Sequence, residues 1–184
     1  NSNSLPIRKI QVSIKDANEQ IYASMTGDRV MVRSEWELLN RYLLGGFEFG
    51  QTYMLCGASG HGKSYMLNIL IQNFINARIQ NHSCKILHFC FEMSASTEIL
   101  RRLSTAIKLS YRDLLSADRP LSADQYQMVK QQLENVRDEP IYFCETPGTR
   151  QDIFNTICKM RKKFPDDNLI ITLDHVLLVQ PMPG

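Results

Sequence analysis

The run Gly57-Ala58-Ser59-Gly60-His61-Gly62-Lys63-Ser64 constrains this chain more than any other stretch, because it fits the pattern G-x-x-x-x-G-K-[ST]. Glycines in such a loop let the backbone turn tightly enough for successive N–H groups to point inward at an anion. A helix that starts at the loop adds its N-terminal dipole. The apolar run at residues 52–56 leads straight into Gly57, and helical periodicity begins at Lys63. A glycine-rich turn with an incidental lysine needs neither flank. The stretch therefore reads as a triphosphate site, with Gly57, Ala58, Ser59, Gly60, His61, Gly62, Lys63, Ser64 and Tyr65 as its nucleotide-binding residues. In that reading Lys63 reaches the β- and γ-phosphates and the Ser64 hydroxyl ligates Mg²⁺.

Together with 52–56, the runs at 85–91, 141–144 and 169–173 read as strands, and helical patterns separate them. Residues 63–81 carry Met66, Leu67, Ile69, Leu70, Phe74 and Ile75 around most of their circumference, which predicts a helix buried on most sides. Residues 94–109 place Ile99, Leu103 and Ile107 on one stripe. Ser122 followed by Gln125 is a capping-box pattern, and Tyr126, Val129, Leu133 and Val136 then repeat at helical spacing. Thr149 with Asp152 opens another helix, carrying Ile153, Ile157, Met160 and Phe164, and Pro165 stops it. Strands alternating with helices predict an α/β fold with a mainly parallel sheet flanked by helices. Residues 1–34 differ: Ile10, Val12 and Ile14 alternate, then 15–25 form one short helix before Gly27. This stretch reads as a linker or arm (residues 1–32 ahead of a main domain at 33–184) packed on the core or on a neighbouring chain.

In an open parallel sheet the ligand sits beyond the carboxyl ends of the strands. Two acids fall there: Glu92 follows the run 85–91, and Asp174 follows 169–173. A carboxylate level with the phosphate loop can hold the Mg²⁺ water shell, and a second can deprotonate a water attacking the γ-phosphate. Asp174, after four apolar residues and a threonine, fits the metal role, and Glu92 fits the catalytic-base role alongside Lys63. Each also has a plain alternative, since strand-end Asp forms turns and Glu92 is placed to cap a helix.

Composition narrows the partners. The 184 residues carry 21 Lys+Arg against 19 Asp+Glu, a formal charge of +2, which excludes a histone-like coat for nucleic acid while allowing a local basic groove. No apolar run approaches the ~18 residues a membrane span requires, and no signal segment opens the chain. A cytoplasmic protein without membrane contact is expected. The five cysteines include no C-x-x-C pair and read as reduced, mostly buried thiols. The chain begins Asn1-Ser2-Asn3-Ser4 without Met, and is expected to be a piece of something longer.

Several runs together match a family. Phe91-Glu92-Met93-Ser94-Ala95, with Arg101 seven positions after Ser94, resembles the "LEMS" segment of DnaB-type replicative DNA helicases. The stretch from Pro140 to Gly148 resembles that family's "P-L-Y-I-D-D-T-P-G" strand and turn, and Gly45-Gly46-Phe47-Glu48-Phe49-Gly50-Gln51 its "G-G-L-x-x-G" lead-in. Ile171-Thr172-Leu173-Asp174-His175 is closer to the Asp-His version of phage primase-helicases than to the bacterial Asp-Tyr. The resemblance runs from about Arg33 to Val179 in order and spacing. It implies a RecA-like ATPase fold whose C-terminal part is incomplete here, ATP with Mg²⁺ as cofactors, and a hexameric ring with ATP at subunit interfaces. It further implies translocation on single-stranded DNA and primase as a possible partner. By position it makes Lys63 and Ser64 the phosphate and Mg²⁺ contacts, Glu92 the catalytic base, Asp174 the Walker-B acid, and residues 10–26 the linker helix that docks on the adjacent subunit. The DNA-binding loops and the trans-acting arginine are expected beyond Gly184. Glu145 stands where the family usually carries Asp, and His175-Val176-Leu177 where bacterial members carry Tyr-Leu-Gln.

Other residues have plainer readings. His61 is a variable loop position facing solvent or phosphate, and His175 either senses the γ-phosphate or packs. Arg161-Lys162-Lys163 reads as a solvated helix end suited to the C-terminal dipole, or otherwise as a contact to DNA backbone, and Trp36 as an anchor of the arm. Beside a helicase motor, two alternatives stay open: a RecA- or clock-like ATPase, and a nucleotide-gated DNA-binding or loading module.

Overall fold

The computed structural model describes residues 7–79 and 82–181; Asn1-Ser2-Asn3-Ser4 and the last three residues lie outside this range. A nine-residue strand, β4 (His82–Cys90), forms the centre. It is flanked in parallel by β5 (Ile141–Cys144) on one side and β6 (Asn168–Asp174) on the other. A short antiparallel strand, β3 (Arg78–Ile79), pairs with the start of β4. The register sets Ile86 against Ile141 and Ile170, His88 against Phe143 and Thr172, and Cys90 against Asp174.

Because side chains alternate along a strand, β4 serves two cores. On one face Cys84 and Ile86 pack against Leu70, Ile71 and Phe74 of α3 (Lys63–Asn76). On the other, Leu87, Phe89 and Phe91 pack against Met160 of α7 (Arg150–Lys163), with Ile153, Ile157 and Leu173 beside them. Between β4 and β5 the chain runs through α4 (Ala95–Ile107), the short α5 (Tyr111–Leu115) and α6 (Ala123–Val136), with α4 packed on both α5 and α6. The result is a parallel sheet with helices on both faces, as the alternation of strands and helices predicts.

Local signals place several boundaries. The Ser122/Gln125 and Thr149/Asp152 capping boxes are both formed, at the heads of α6 and α7. Helix α7 ends at Lys163 before Pro165, where the ring clashes with helical geometry at the preceding residue. Arg161 donates to the carbonyl oxygens of Phe164, Pro165 and Asp167, the last at 2.7 Å, and Lys163 lies over the Tyr142 and Phe164 rings. This basic run therefore closes a helix end.

Three expectations are corrected. Residues 52–56 form no strand; Tyr53, Met54, Leu55 and Cys56 are exposed, and no described strand pairs with them. An apolar run acquires strand structure only where another strand's N–H and C=O groups meet its own. The helix expected over 63–81 ends at Asn76, the chain turning at Ala77 into β3; residues 80 and 81 lie outside the described range. At the other end, the alternating Ile10, Val12 and Ile14 belong to one helix with the residues after them, α1 (Ile10–Thr26), closed by Gly27 at φ 78°. No residue of α1 is buried, so it does not pack on the core of its own chain. After α1 the chain joins the rest of the fold: β1 (Met31–Val32) pairs with β2 (Phe47–Glu48), and α2 (Glu37–Tyr42) lies between them. Trp36, Val30 and Leu39 pack on the α3 core, and Asn73 accepts the Glu35 N–H at 2.8 Å. No helix among the described residues is long and apolar enough to cross a membrane.

Candidate active site

The phosphate-loop motif folds as a loop feeding a helix. Gly60 and Gly62 take φ of 76° and 78°, left-handed values that side chains disfavour. The Met66 N–H reaches the Gly62 carbonyl at 2.9 Å and starts α3. Helices α4, α5, α6 and α7 are each closed by a Ser or Thr hydroxyl; α3 has no side-chain cap. The first turn of a helix carries N–H donors without intrahelical partners, and here no side chain among the described residues occupies them. Residues 57–62 are exposed. The Lys63 ammonium donates to the Ala58 carbonyl at 2.9 Å, arching over its own loop, and His61 Nδ1 lies 3.0 Å from the Ser59 carbonyl.

The sheet supplies the acids. The Asp174 carbonyl accepts the Phe91 N–H at 2.8 Å and the Glu92 N–H at 3.3 Å, so the carboxyl ends of β4 and β6 are tied and both acids emerge side by side. Glu92 is exposed, while Asp174 is 7% exposed. Neither carboxylate takes a hydrogen bond or ion pair from a described residue. The later turns of α3, at Leu70, Ile71 and Phe74, pack on the beginning of β4 at Cys84 and Ile86. The helix thus runs back along the strand, and its first turn points toward the end that carries Glu92. No hydrogen bond or ion pair among the described residues joins the loop to either acid.

Sequence reasoning missed two features of this end of the sheet. Glu145 accepts the Ala95 N–H at 2.7 Å, so the acid after β5 caps α4 and fixes the turn that carries Glu92. The Ser94 hydroxyl closes the same helix by accepting from Thr97 N–H at 3.2 Å. Beneath them lies a buried polar chain of Glu98, His88 and Thr172. A histidine inside the apolar run Ile86-Leu87-His88-Phe89-Cys90 was the one available signal for it. His175 is half-buried and its side chain makes no hydrogen bond with a described residue.

The cysteines take no part. All five are free; Cys84 and Cys90 are buried, while Cys56, expected inside a strand, is exposed. Burial, with the Glu98 and Glu145 carboxylates nearby, pushes the Cys90 thiol up to about 12, and burial with Asp167 raises Cys84. Thiols held protonated in this way are poor nucleophiles and poor metal ligands. Among the described residues no three His, Cys, Asp or Glu side chains cluster as a metal cage. A Ser hydroxyl with one carboxylate is instead the sparse, hard oxygen set that suits Mg²⁺ carried on phosphate oxygens.

Helices on both faces of a parallel sheet, with the lysine-bearing loop opening the helix that packs on β4, place the fold in the RecA-like P-loop class. Within that class the chain belongs to the DnaB-like helicases, for residues 32–183 match the DnaB-like helicase C terminal domain family. Two solved structures share the fold. One is an ATPase domain (TM-score 0.73, 17% identity) that covers 97% of this chain and 61% of its own. The other is a DnaB-like replicative helicase described with its interactions with primase (TM-score 0.72, 17% identity), covering 100% of this chain and 42% of its own. The chain thus spans less than two thirds of either relative. No curated protein sequence matches significantly.

Proposed function

We propose that this chain is the ATP-hydrolysing motor core of a ring-forming replicative DNA helicase. The observation that carries the reading is the tie between Phe91 and Glu92 N–H and the Asp174 carbonyl, which sets two unpaired carboxylates at the sheet end toward which the uncapped head of α3 points. In this reading the main-chain donors of residues 57–65 and the Lys63 ammonium hold the β- and γ-phosphates. Ser64 and Asp174 hold Mg²⁺, which supplies charge neutralisation of the phosphates when bound. Glu92, exposed on a turn anchored at both ends, takes the proton from the attacking water. Family membership supports single-stranded DNA as the track and a hexamer with ATP between subunits. The exposed apolar residues of α1, including Ile10, Ile14, Ile21 and Met25, are a face for the adjacent subunit. Primase, with which the related helicase is described as interacting, is the protein partner in this reading. The main domain is assigned to residues 33–184 and the arm to 1–32.

The test is Glu92→Gln, which keeps size and polarity but removes the base. ATP affinity stays within about twofold while turnover falls by about 10²–10⁴. Turnover retained in that variant would exclude the assignment of the base. A wild-type protein that binds ATP without any turnover would favour the nucleotide-gated module instead.

A further inference from the structure

The α3-facing side of the sheet is layered. Ile86, Ile141 and Ile170 make an apolar layer, and Cys90 and Asp174 stand at the carboxyl end. Between them the register pairs His88 with Thr172. His88 Nδ1 lies 2.7 Å from the Thr172 hydroxyl, and Nε2 lies 3.0 Å from Glu98 of α4. All three are buried: His88 is 1% exposed, Glu98 2% and Thr172 8%. Apolar residues of similar size would continue the layer below without desolvating a carboxylate and an imidazole. Stability therefore gives no account of this trio, whereas geometry does. Apolar layers tolerate small slides between elements, but hydrogen bonds of these lengths fix both distance and direction.

We propose that the Glu98–His88–Thr172 chain is a positioning device for the catalytic carboxylates, setting Asp174 for Mg²⁺ and holding the turn that carries Glu92. The inference rests on the nucleotide-site reading above and deepens it. Thr172 is two residues before Asp174 on the same face of β6, so its side-chain bond sets the strand's rotation directly under the Asp174 carboxylate. His88 and Glu98 bracket Glu92: one lies four residues before it on β4, the other six residues after it on α4. A bond between the brackets closes the β4–α4 connection from beneath, while the Asp174 carbonyl and Glu145 hold it from above. No hydrogen bond or ion pair among the described residues joins any of the three to the loop, so their contribution is to the metal end of the site and not to phosphate binding. Glu98 accepts from the Nε2 proton, and the His88–Thr172 bond forms whether the hydroxyl donates to Nδ1 or accepts from it, so the device does not depend on the imidazole's charge.

The experiment measures binding of a fluorescent ATP analogue to the full chain, first in EDTA and then across a Mg²⁺ titration. Thr172→Val is nearly isosteric and removes only the hydroxyl. It is expected to leave metal-free affinity within about twofold and to raise the Mg²⁺ midpoint about tenfold or more, the scale seen when a group supporting a metal ligand is lost. Thr172→Ser keeps the hydroxyl and is expected to return the midpoint to near wild type; His88→Leu is expected to reproduce Thr172→Val. A Thr172→Val midpoint equal to wild type overturns the proposal. So does a Thr172→Ser midpoint that shifts as far as that of Thr172→Val, because packing would then be the cause. A parallel loss of metal-free affinity also overturns it, since the effect would no longer be confined to the metal end. If wild type binds no nucleotide, or gains nothing from Mg²⁺, the nucleotide-site reading fails and the proposal with it. A wild type tightened by Mg²⁺ beside an unshifted Thr172→Val refutes the positioning role alone.

Discussion

Replacing Lys63 with alanine separates folding from binding, and the structure gives a magnitude to each. The ammonium makes one hydrogen bond, to the Ala58 carbonyl at 2.9 Å, in an exposed loop. A bond of that kind contributes about 0.5–1.5 kcal/mol at most, and the carbonyl left behind can turn to water. Lys63 is also the first residue of α3, where alanine is as good a helix former as lysine. Melting should therefore move by only a few degrees. Binding is another matter. In the proposed site the Lys63 contacts to the β- and γ-phosphates are charge-assisted, about 1.5–3 kcal/mol each. Two of them amount to about 3–6 kcal/mol, a loss of roughly 10²–10⁴ in affinity at 1.4 kcal/mol per tenfold. Thermal denaturation and titration with a fluorescent ATP analogue on the same preparation give both numbers, and turnover is expected to vanish. Affinity within threefold of wild type would refute the assignment of this loop to the triphosphate. An unfolded variant would instead refute the view that the lysine is held free of the core.

Further outcomes follow from burial. Ile71→Ala removes a side chain that is 1% exposed between α3 and β4, and should cost about 2–5 kcal/mol, a fall in Tm of roughly 4–20 °C. Ile14→Ala, on the exposed α1, should stay within about 0.5 kcal/mol when the chain is dissociated from any neighbouring subunit, and equal losses in chemical denaturation of the dissociated chain would contradict the core described here. Cys90 has a raised folded-state value of about 12 against an ordinary 9.0, so its contribution to stability is complete below about pH 9 and is lost as pH rises toward 12. Cys90→Ala should flatten that alkaline loss, and maleimide should label Cys56 in the native protein but reach Cys90 only after unfolding.

What the sequence determined is local. Ser122 with Gln125 and Thr149 with Asp152 start helices because cap and backbone lie three residues apart, and no distant residue is needed to form the bonds. The glycine spacing of 57–62, the strand runs 85–91 and 169–173, and an acid directly after each are likewise written in consecutive residues. Family membership followed because those local runs occur in a specific order. What the tertiary structure decided depends on partners far along the chain. The apolar run at 52–56 looks as strand-like as 85–91, yet only the second meets neighbours on both sides, since pairing belongs to two segments and not to one. That β4 lies between β5 and β6, that Glu145 caps α4 from fifty residues away, and that His88 meets Thr172 across 84 residues were invisible for the same reason. A histidine in a strand announces only that a buried polar group needs a partner. Which strand and helix supply its partners is settled when the sheet closes and brings β6 and α4 against β4.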